Sequence, residues 1–146
     1  MSTRCRIGIE NNDGTITSIY CHNDGYPEGV GSVLVYNYKT EDKIRKLLSL
    51  GDMSSLGTEP IDNPHAWDSF SSGSDFMSTW ELLNQEDKCN TYKSRGEDCP
   101  AITHNDLDTY IKDTIDGCDY GYLFKDGQWY MFDYDNNELS LVKYNI

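Results

Sequence analysis

The chain has 146 residues, 37% of them hydrophobic, which is enough for one domain whose core needs no disulfide or metal. Its net charge of −13 disfavours direct binding to nucleic acid, and its sequence holds no apolar run long enough to cross a membrane. We therefore expect one compact domain over residues 1–146, located in the cytoplasm, with neither nucleic acid nor membrane as a direct partner.

The N-terminal residues predict a β-hairpin. Side chains alternate in polarity over 6–10 and 15–20, and the connection contains Asp13-Gly14, a dipeptide typical of hairpin turns. One face of this hairpin is expected to carry Ile7, Ile9, Ile16 and Tyr20.

A polar turn over residues 22–31 and two helices are predicted next. Apolar residues at helical spacing indicate a short helix from about residue 30 to 39. Thr40 is a good N-cap for a second helix over 41–50, and Gly51 follows where such a helix usually ends.

Residues 52–100 lack regular periodicity and are predicted to form a long irregular segment. Turn-forming residues are frequent there, yet large apolar side chains are scattered among them, so we expect the segment to cover a face of the sheet. These side chains are Trp67, Phe70, Phe76, Met77, Trp80, Leu82 and Leu83.

The C-terminal third predicts one helix and three strands. Apolar spacing indicates a helix over 105–115, and alternation indicates strands over 120–124, 129–134 and 139–144. The element order shows no βαβ alternation. We therefore expect an α+β fold: an antiparallel sheet made of the N-terminal hairpin and a C-terminal three-stranded meander, with two or three helices packed on one face.

The turn over residues 22–31 is the strongest candidate for a binding site. It concentrates His22, Asp24, Tyr26 and Glu28 between a strand and a helix, where polar groups are exposed on a rigid support. A purely structural turn is the alternative, because Asn, Asp, Gly and Pro are common in turns. Arg95 in a short basic segment could anchor a ligand phosphate, pair with a carboxylate or form a surface salt bridge.

Other motifs predict no catalytic residue, no metal and no cofactor. The five cysteines contain no Cys-x-x-Cys pair, so we expect neither zinc nor a disulfide. Cys21 and His22 are adjacent on a strand and should point to opposite faces, so they cannot easily hydrogen-bond each other, and His65 or His104 could equally reach Cys21. The spacing of Asp133, Asp135 and Asn137 resembles a calcium loop but lacks its glycine and its final glutamate.

Acidic residues are concentrated near the C-terminus. Residues 97–138 contain eleven acidic and two basic side chains. Such a surface favours a basic partner, although solubility alone would also explain it. The predicted acidic surface consists of Asp106, Asp108, Asp113, Asp116 and Asp119.

Several local motifs resemble those of small proteins encoded by tailed bacteriophages and prophages. The first is the Tyr-x-His-x-Asp-Gly-Tyr-Pro-x-x-x-Gly turn beginning at Tyr20, and the second is Gly-Asp-x-Ser-Ser-Leu beginning at Gly51. A Tyr-x-x-Arg-Gly-Glu segment beginning at Tyr92 and a Tyr-Leu-Phe…Trp hairpin beginning at Tyr122 complete the pattern. Members of this family often carry a second Arg and an Asp where this chain has Lys93 and Ser94.

The resemblance implies an origin and a cellular setting, the cytoplasm of a bacterial host. Small acidic phage proteins often interfere with host defence, so the first hypothesis is a protein that inhibits or modulates a host protein. The target could be a restriction or CRISPR nuclease whose basic channel accepts carboxylates in place of phosphates. The alternatives are a small-molecule or nucleotide-binding domain (a sponge or an enzyme) that uses the turn over residues 22–31, and a structural or housekeeping phage protein.

Overall fold

The predicted N-terminal hairpin is present in the computed structural model, which describes residues 2–63 and 87–142. Strands β1 (Cys5–Glu10) and β2 (Ile16–Cys21) pair antiparallel. Their turn is closed by a 2.8 Å hydrogen bond from the Asn11 amide to the Thr15 carbonyl. Gly14 has φ of +87°, a conformation that a residue without Cβ adopts at little cost.

The register of this hairpin corrects the expected division of its faces. Ile7 lies opposite Ile19, whereas Ile16 lies opposite Glu10. Directly paired residues point to the same face, so Ile16 and Tyr20 lie on the face opposite to Ile7. The prediction that all four shared one face was wrong because the connecting turn sets the register.

The described residues form an eight-stranded sheet together with helices. This content confirms the predicted α+β fold class. The meander is also confirmed: β6 (Tyr120–Lys125), β7 (Gln128–Asp133) and β8 (Ser140–Leu141) pair antiparallel in sequence. Residues 143–144 of the predicted last strand lie outside the described part of the chain.

Two pairings are parallel, which the antiparallel prediction did not include. β1 pairs parallel with β6 at the centre of the sheet, and β2 pairs parallel with β3 (Met53–Ser55). The connection from β1 to β6 is long enough to bring the chain back to the same end of the sheet before β6 begins.

Short strands from the predicted irregular region complete the sheet. β4 (Asn90–Thr91) pairs with β3, and β5 (Ile102–His104) pairs antiparallel with the first half of β2. A 3₁₀ turn (Lys93–Arg95) follows β4. The large apolar residues of the predicted cover, from Trp67 to Leu83, lie outside the described residues.

All three predicted helices are present. A π-helical turn (Pro27–Gly31) leads into α1 (Ser32–Asn37), and α2 (Glu41–Leu48) is capped by Thr40 as predicted. The third helix, α3 (Leu107–Ile115), begins after Asp106, whose carboxylate accepts a hydrogen bond from the Thr109 amide.

The helices lie on both faces of the sheet, which corrects the prediction that they share one. Residues from α1 and α2 pack with Ile7, Ile9 and Ile19. Tyr110 and its neighbours on α3 pack with Ile16, Leu123 and Phe132 on the other face. That second face is also partly apolar and needs a cover, which α3 supplies.

Candidate functional site

The predicted turn site and part of the predicted acidic surface lie at the same end of the sheet. β2 ends at Cys21, paired with Cys5 where β1 begins, and Cys5 is also paired with Tyr120 where β6 begins. Tyr120 in turn lies opposite Asp133, where β7 ends. Residues 2–4, 22–31, 116–119 and 133–135 therefore meet at one end, and the turns 11–15 and 126–127 lie at the other.

The turn over residues 22–31 is fixed to the sheet by backbone contacts. The Gly25 amide donates to the Thr3 carbonyl at 2.9 Å, and the buried Tyr122 hydroxyl donates to the Gly25 carbonyl at 2.7 Å. Asp24 has φ of +60°, and a Cβ at Gly29 would lie 2.3 Å from the Asp24 carbonyl oxygen. The close approach of these two residues requires glycine at position 29.

Asp24, Tyr26 and Glu28 are brought together around one small cavity. The cavity has a volume of about 210 Å³, and Val30, Val33 and Leu56 are among its other lining residues. The Tyr26 hydroxyl donates to Asp24 Oδ1 at 3.2 Å. The negative charge of Asp24 raises the pKa of Tyr26. These three predicted residues therefore lie together at the rim of one cavity.

His22 belongs to a different surface. Its Nδ1 lies 2.8 Å from the Tyr20 hydroxyl, on the sheet face opposite to Ile7. Burial raises the pKa of Tyr20 to about 12, so its phenol stays protonated at neutral pH and can donate to Nδ1. The Asp52 carboxylate accepts from the Tyr20 amide at 2.9 Å beside this pair.

Arg95 is also separate from the cavity. It ends the 3₁₀ turn, lies 5.2 Å from the ring centroid of Tyr92 and forms an ion pair with Glu97. Of the alternatives for Arg95, the structure places it in a surface salt bridge. The predicted binding group is thus divided, with His22 and Arg95 away from the other three residues.

The predicted acidic surface is divided as well. Asp116 and Asp119 lie at the end of the sheet that carries the turn, and Asp119 Oδ2 accepts from the Arg4 amide at 3.1 Å. Asp106 caps α3, and its hydrogen bonds from Thr109 lower its pKa. Since β5 leads into α3 from the position opposite Ile16, Asp106 and Asp108 lie towards the other end.

Two further carboxylates and two tyrosines extend the acidic region at the turn's end. A groove of about 370 Å³ is lined by Asp119, Asp133 and Asp135 together with Tyr120 and Tyr134. Tyr134 is 66% exposed. Burial, followed by the charges of Asp133 and Glu28, raises the pKa of Tyr120, so carboxylates of both the groove and the turn act on this phenol. We call this region the acidic end: Asp24, Glu28, Asp116, Asp119, Asp133, Asp135, Tyr26, Tyr120 and Tyr134.

A set of linked polar side chains, buried at Ser18 and His104, was not predicted and accounts for Asp113. Arg6 Nε donates to Ser18 Oγ at 2.8 Å, Ser18 Oγ lies 2.8 Å from His104 Nε2, and His104 Nδ1 lies 2.8 Å from Asp113 Oδ2. The order Ser–His–Asp is that of a hydrolytic triad. However, Ser18 is fully buried, so a substrate has no access to its hydroxyl, which also accepts a hydrogen bond from the guanidinium. These hydrogen bonds instead join β1, β2, β5 and α3.

The cysteines and the described carboxylates offer no metal centre. All five cysteines have free thiols, and burial raises the pKa of Cys89 and Cys118 to about 11, which keeps these thiols protonated. Within residues 2–63 and 87–142, no three His, Cys, Asp or Glu side chains are placed to hold a metal ion. No helix in the same ranges has the length and apolar character needed to cross a membrane.

The acidic end combines negative charge with exposed aromatic side chains. Carboxylates and phenols at the acidic end can attract cationic groups and provide contact area. In comparisons with protein-family models, curated protein sequences and solved structures, no match to the chain is found.

Proposed function

We propose that this chain is a phage-encoded accessory protein whose acidic end binds a host protein with a basic surface and inhibits or modulates it. The observation that carries the proposal is the convergence of six carboxylates and three tyrosines at one end of the sheet. Opposite charge accelerates association and selects the partner, whereas tyrosines supply much of the contact energy in interfaces.

Several of these carboxylates have no structural task. Among the described residues, the side chains of Glu28, Asp116 and Asp135 form no hydrogen bond and no ion pair. An exposed carboxylate without a local partner loses little when it pairs with a Lys or Arg of another protein. These three groups are therefore available to a partner.

A nuclease of a host defence system is the partner class that fits best. Nucleases bind phosphates with Lys and Arg in open channels, and carboxylates can occupy those positions in place of phosphates. The net charge of −13 adds long-range attraction to such a channel. Restriction and CRISPR nucleases are the proposed examples.

The nucleotide-binding alternative has less support. The cavity at Asp24 and Glu28 measures about 210 Å³, below the roughly 300–1,000 Å³ of typical ligand pockets. Among the residues that the structure describes, its lining carries two carboxylates and no Lys, Arg or His. The two negative charges would repel a phosphate. No specific contact favours a structural or housekeeping role.

Affinity capture from a host lysate with two matched triple variants tests the proposal. Asp116→Asn/Asp133→Asn/Asp135→Asn removes three charges from the acidic end, and asparagine at position 133 keeps an oxygen for the amides of residues 135 and 136. Asp42→Asn/Asp108→Asn/Asp126→Asn removes the same charge from exposed positions that do not line the acidic end.

The expected result is a partner captured by the wild type and by the second triple variant, but not by the first. Capture should weaken as salt rises and should be reversed by added duplex DNA if the partner is a nuclease. Equal capture by both triple variants would contradict the proposal.

A further inference from the structure

We propose that the cavity beside Asp24 and Glu28 is a receptor for one arginine side chain of the partner. This inference rests on the proposed function, because it assigns the chemistry of one position within the interface. It adds a specific pocket to a surface otherwise defined by charge.

The lining of the cavity changes from polar at the rim to apolar at the floor. Asp24, Tyr26 and Glu28 are exposed, whereas Val30 is buried and Val33 is half-buried. An arginine side chain has the matching order, since its methylene groups are apolar and its guanidinium is charged. A volume of about 210 Å³ suits one side chain better than a whole cofactor.

The rim groups retain capacity to accept hydrogen bonds. Tyr26 donates to Asp24 Oδ1, and within residues 2–63 and 87–142 nothing is hydrogen-bonded to Asp24 Oδ2 or to the Glu28 carboxylate. A guanidinium presents five N–H donors in a planar fork and can also lie against the Tyr26 ring. Lysine has one ammonium group and no plane, so arginine fits these three rim groups better.

The walls of the cavity are preorganised. The Val30 amide donates to the Asp24 carbonyl at 2.8 Å, and the Asn23 side-chain amide donates to the carbonyl and to the hydroxyl of Ser54, both at 3.0 Å. Because the position of Asp24 is held by these bonds and by the contact with Gly29, little ordering is required on binding.

Titration with short peptides, followed by the backbone amide resonances, tests the assignment. The probes are acetyl-Gly-Arg-Gly-amide, the same peptide with citrulline, which has the shape of arginine without its charge, and the same peptide with lysine. The variant is Asp24→Asn/Glu28→Gln, because asparagine tolerates the positive φ at position 24 and both changes preserve volume. The matched control is Asp108→Asn/Asp126→Asn.

The arginine peptide should shift the amides of Asp24, Glu28 and Ser55 saturably, with a dissociation constant about tenfold lower than that of the citrulline peptide. Asp24→Asn/Glu28→Gln should lose this preference, and the control should keep it. Equal binding of arginine and citrulline, tighter binding of the lysine peptide, or shifts that leave the cavity unaffected would overturn the inference.

The same variant separates this inference from the proposed function. If Asp24→Asn/Glu28→Gln still captures the partner while the triple variant of residues 116, 133 and 135 does not, the arginine pocket is wrong and the acidic interface stands. Loss of capture in both variants, together with the peptide result, supports both.

Discussion

Both ends of the sheet carry carboxylates, but those that accept local hydrogen bonds differ in role from those that do not. At the end that carries the turn over residues 11–15, Asp13 accepts from the Thr15 amide at 3.0 Å and from its hydroxyl at 2.6 Å, and Asp106 caps α3. At the acidic end, Glu28 and Asp135 have no such bonds among the described residues. Local hydrogen bonds therefore separate carboxylates that stabilise the fold from carboxylates available to a partner.

The turn over residues 22–31 at the acidic end is nevertheless more tightly packed than the turns at the other end of the sheet. A Cβ at Gly25 would lie 2.8 Å from the Thr3 carbonyl oxygen, and a Cβ at Gly29 would lie closer still to Asp24. At Gly14 and Gly127 no atom lies within 4 Å of the added Cβ, so only the positive φ resists substitution there. A rigid backbone with free side chains is what a binding surface requires.

Gly29→Ala should have the largest effect on stability. The added methyl group would meet a backbone oxygen that cannot rotate away, so we expect a loss of about 3 kcal/mol in the free energy of unfolding. Urea denaturation measures the change. Gly117→Ala is the control, since no atom lies within 4 Å of its Cβ position and it should change stability little. A loss as large in the control would contradict the difference in packing.

Tyr122→Phe should be the next largest change. Removing the hydroxyl leaves the buried carbonyl of Gly25 without its 2.7 Å hydrogen bond, which should cost about 1–3 kcal/mol. Denaturant midpoints measure the loss, and amide exchange should rise within residues 22–31. Tyr134→Phe, at a residue 66% exposed, should leave both quantities unchanged. Unchanged amide exchange within residues 22–31 of Tyr122→Phe would show that this hydrogen bond does not hold the turn.

The hairpin, the three helices and the meander were predictable because local sequence patterns specify them. Apolar alternation, Asp-Gly turns and the Thr40 cap act over a few residues. The division of the faces was not predictable, since one residue of register moves Ile16 to the opposite side of the sheet. β5 was missed because three residues carry little periodic signal.

The candidate site was predictable only in part, for the same reason. Asp24, Tyr26 and Glu28 are close in sequence, so their grouping follows from the turn itself. Their union with Asp119 and Asp133 depends on strand pairing across the whole chain. The hydrogen bonds from Ser18 through His104 to Asp113 join positions distant in sequence, and no sequence motif predicts them.

Asp106→Ala should destabilise the protein more than Asp135→Ala. Loss of a capping carboxylate costs about 0.5–2 kcal/mol, whereas an exposed carboxylate without a partner usually contributes within ±0.5 kcal/mol. Thermal unfolding of the two variants measures the difference at equal net charge. Equal losses would remove the distinction between structural and available carboxylates.

Acid should weaken the hairpin end through its two bonded carboxylates. Hydrogen bonds from Thr15 and Thr109 lower the pKa values of Asp13 and Asp106 below the ordinary value. A lowered folded pKa means stability that is present above the unfolded value of about 3.9 and lost as pH falls through the folded value. As the pH falls, hydrogen exchange of the Thr15 and Thr109 amides should therefore become faster, after correction for the pH dependence of intrinsic exchange. Asp13→Asn/Asp106→Asn should abolish that increase, and its persistence would contradict the assignment.

Zero-length carbodiimide cross-linking of the captured complex tests the central claim most directly. The reagent joins a carboxylate to a lysine only where the two are in contact, and mass spectrometry identifies the linked residues. We expect partner lysines joined to Glu28, Asp116 or Asp135 at the acidic end. Cross-links confined to Asp42, Asp108 or Asp126 would contradict the account, because they would place the partner away from the acidic end.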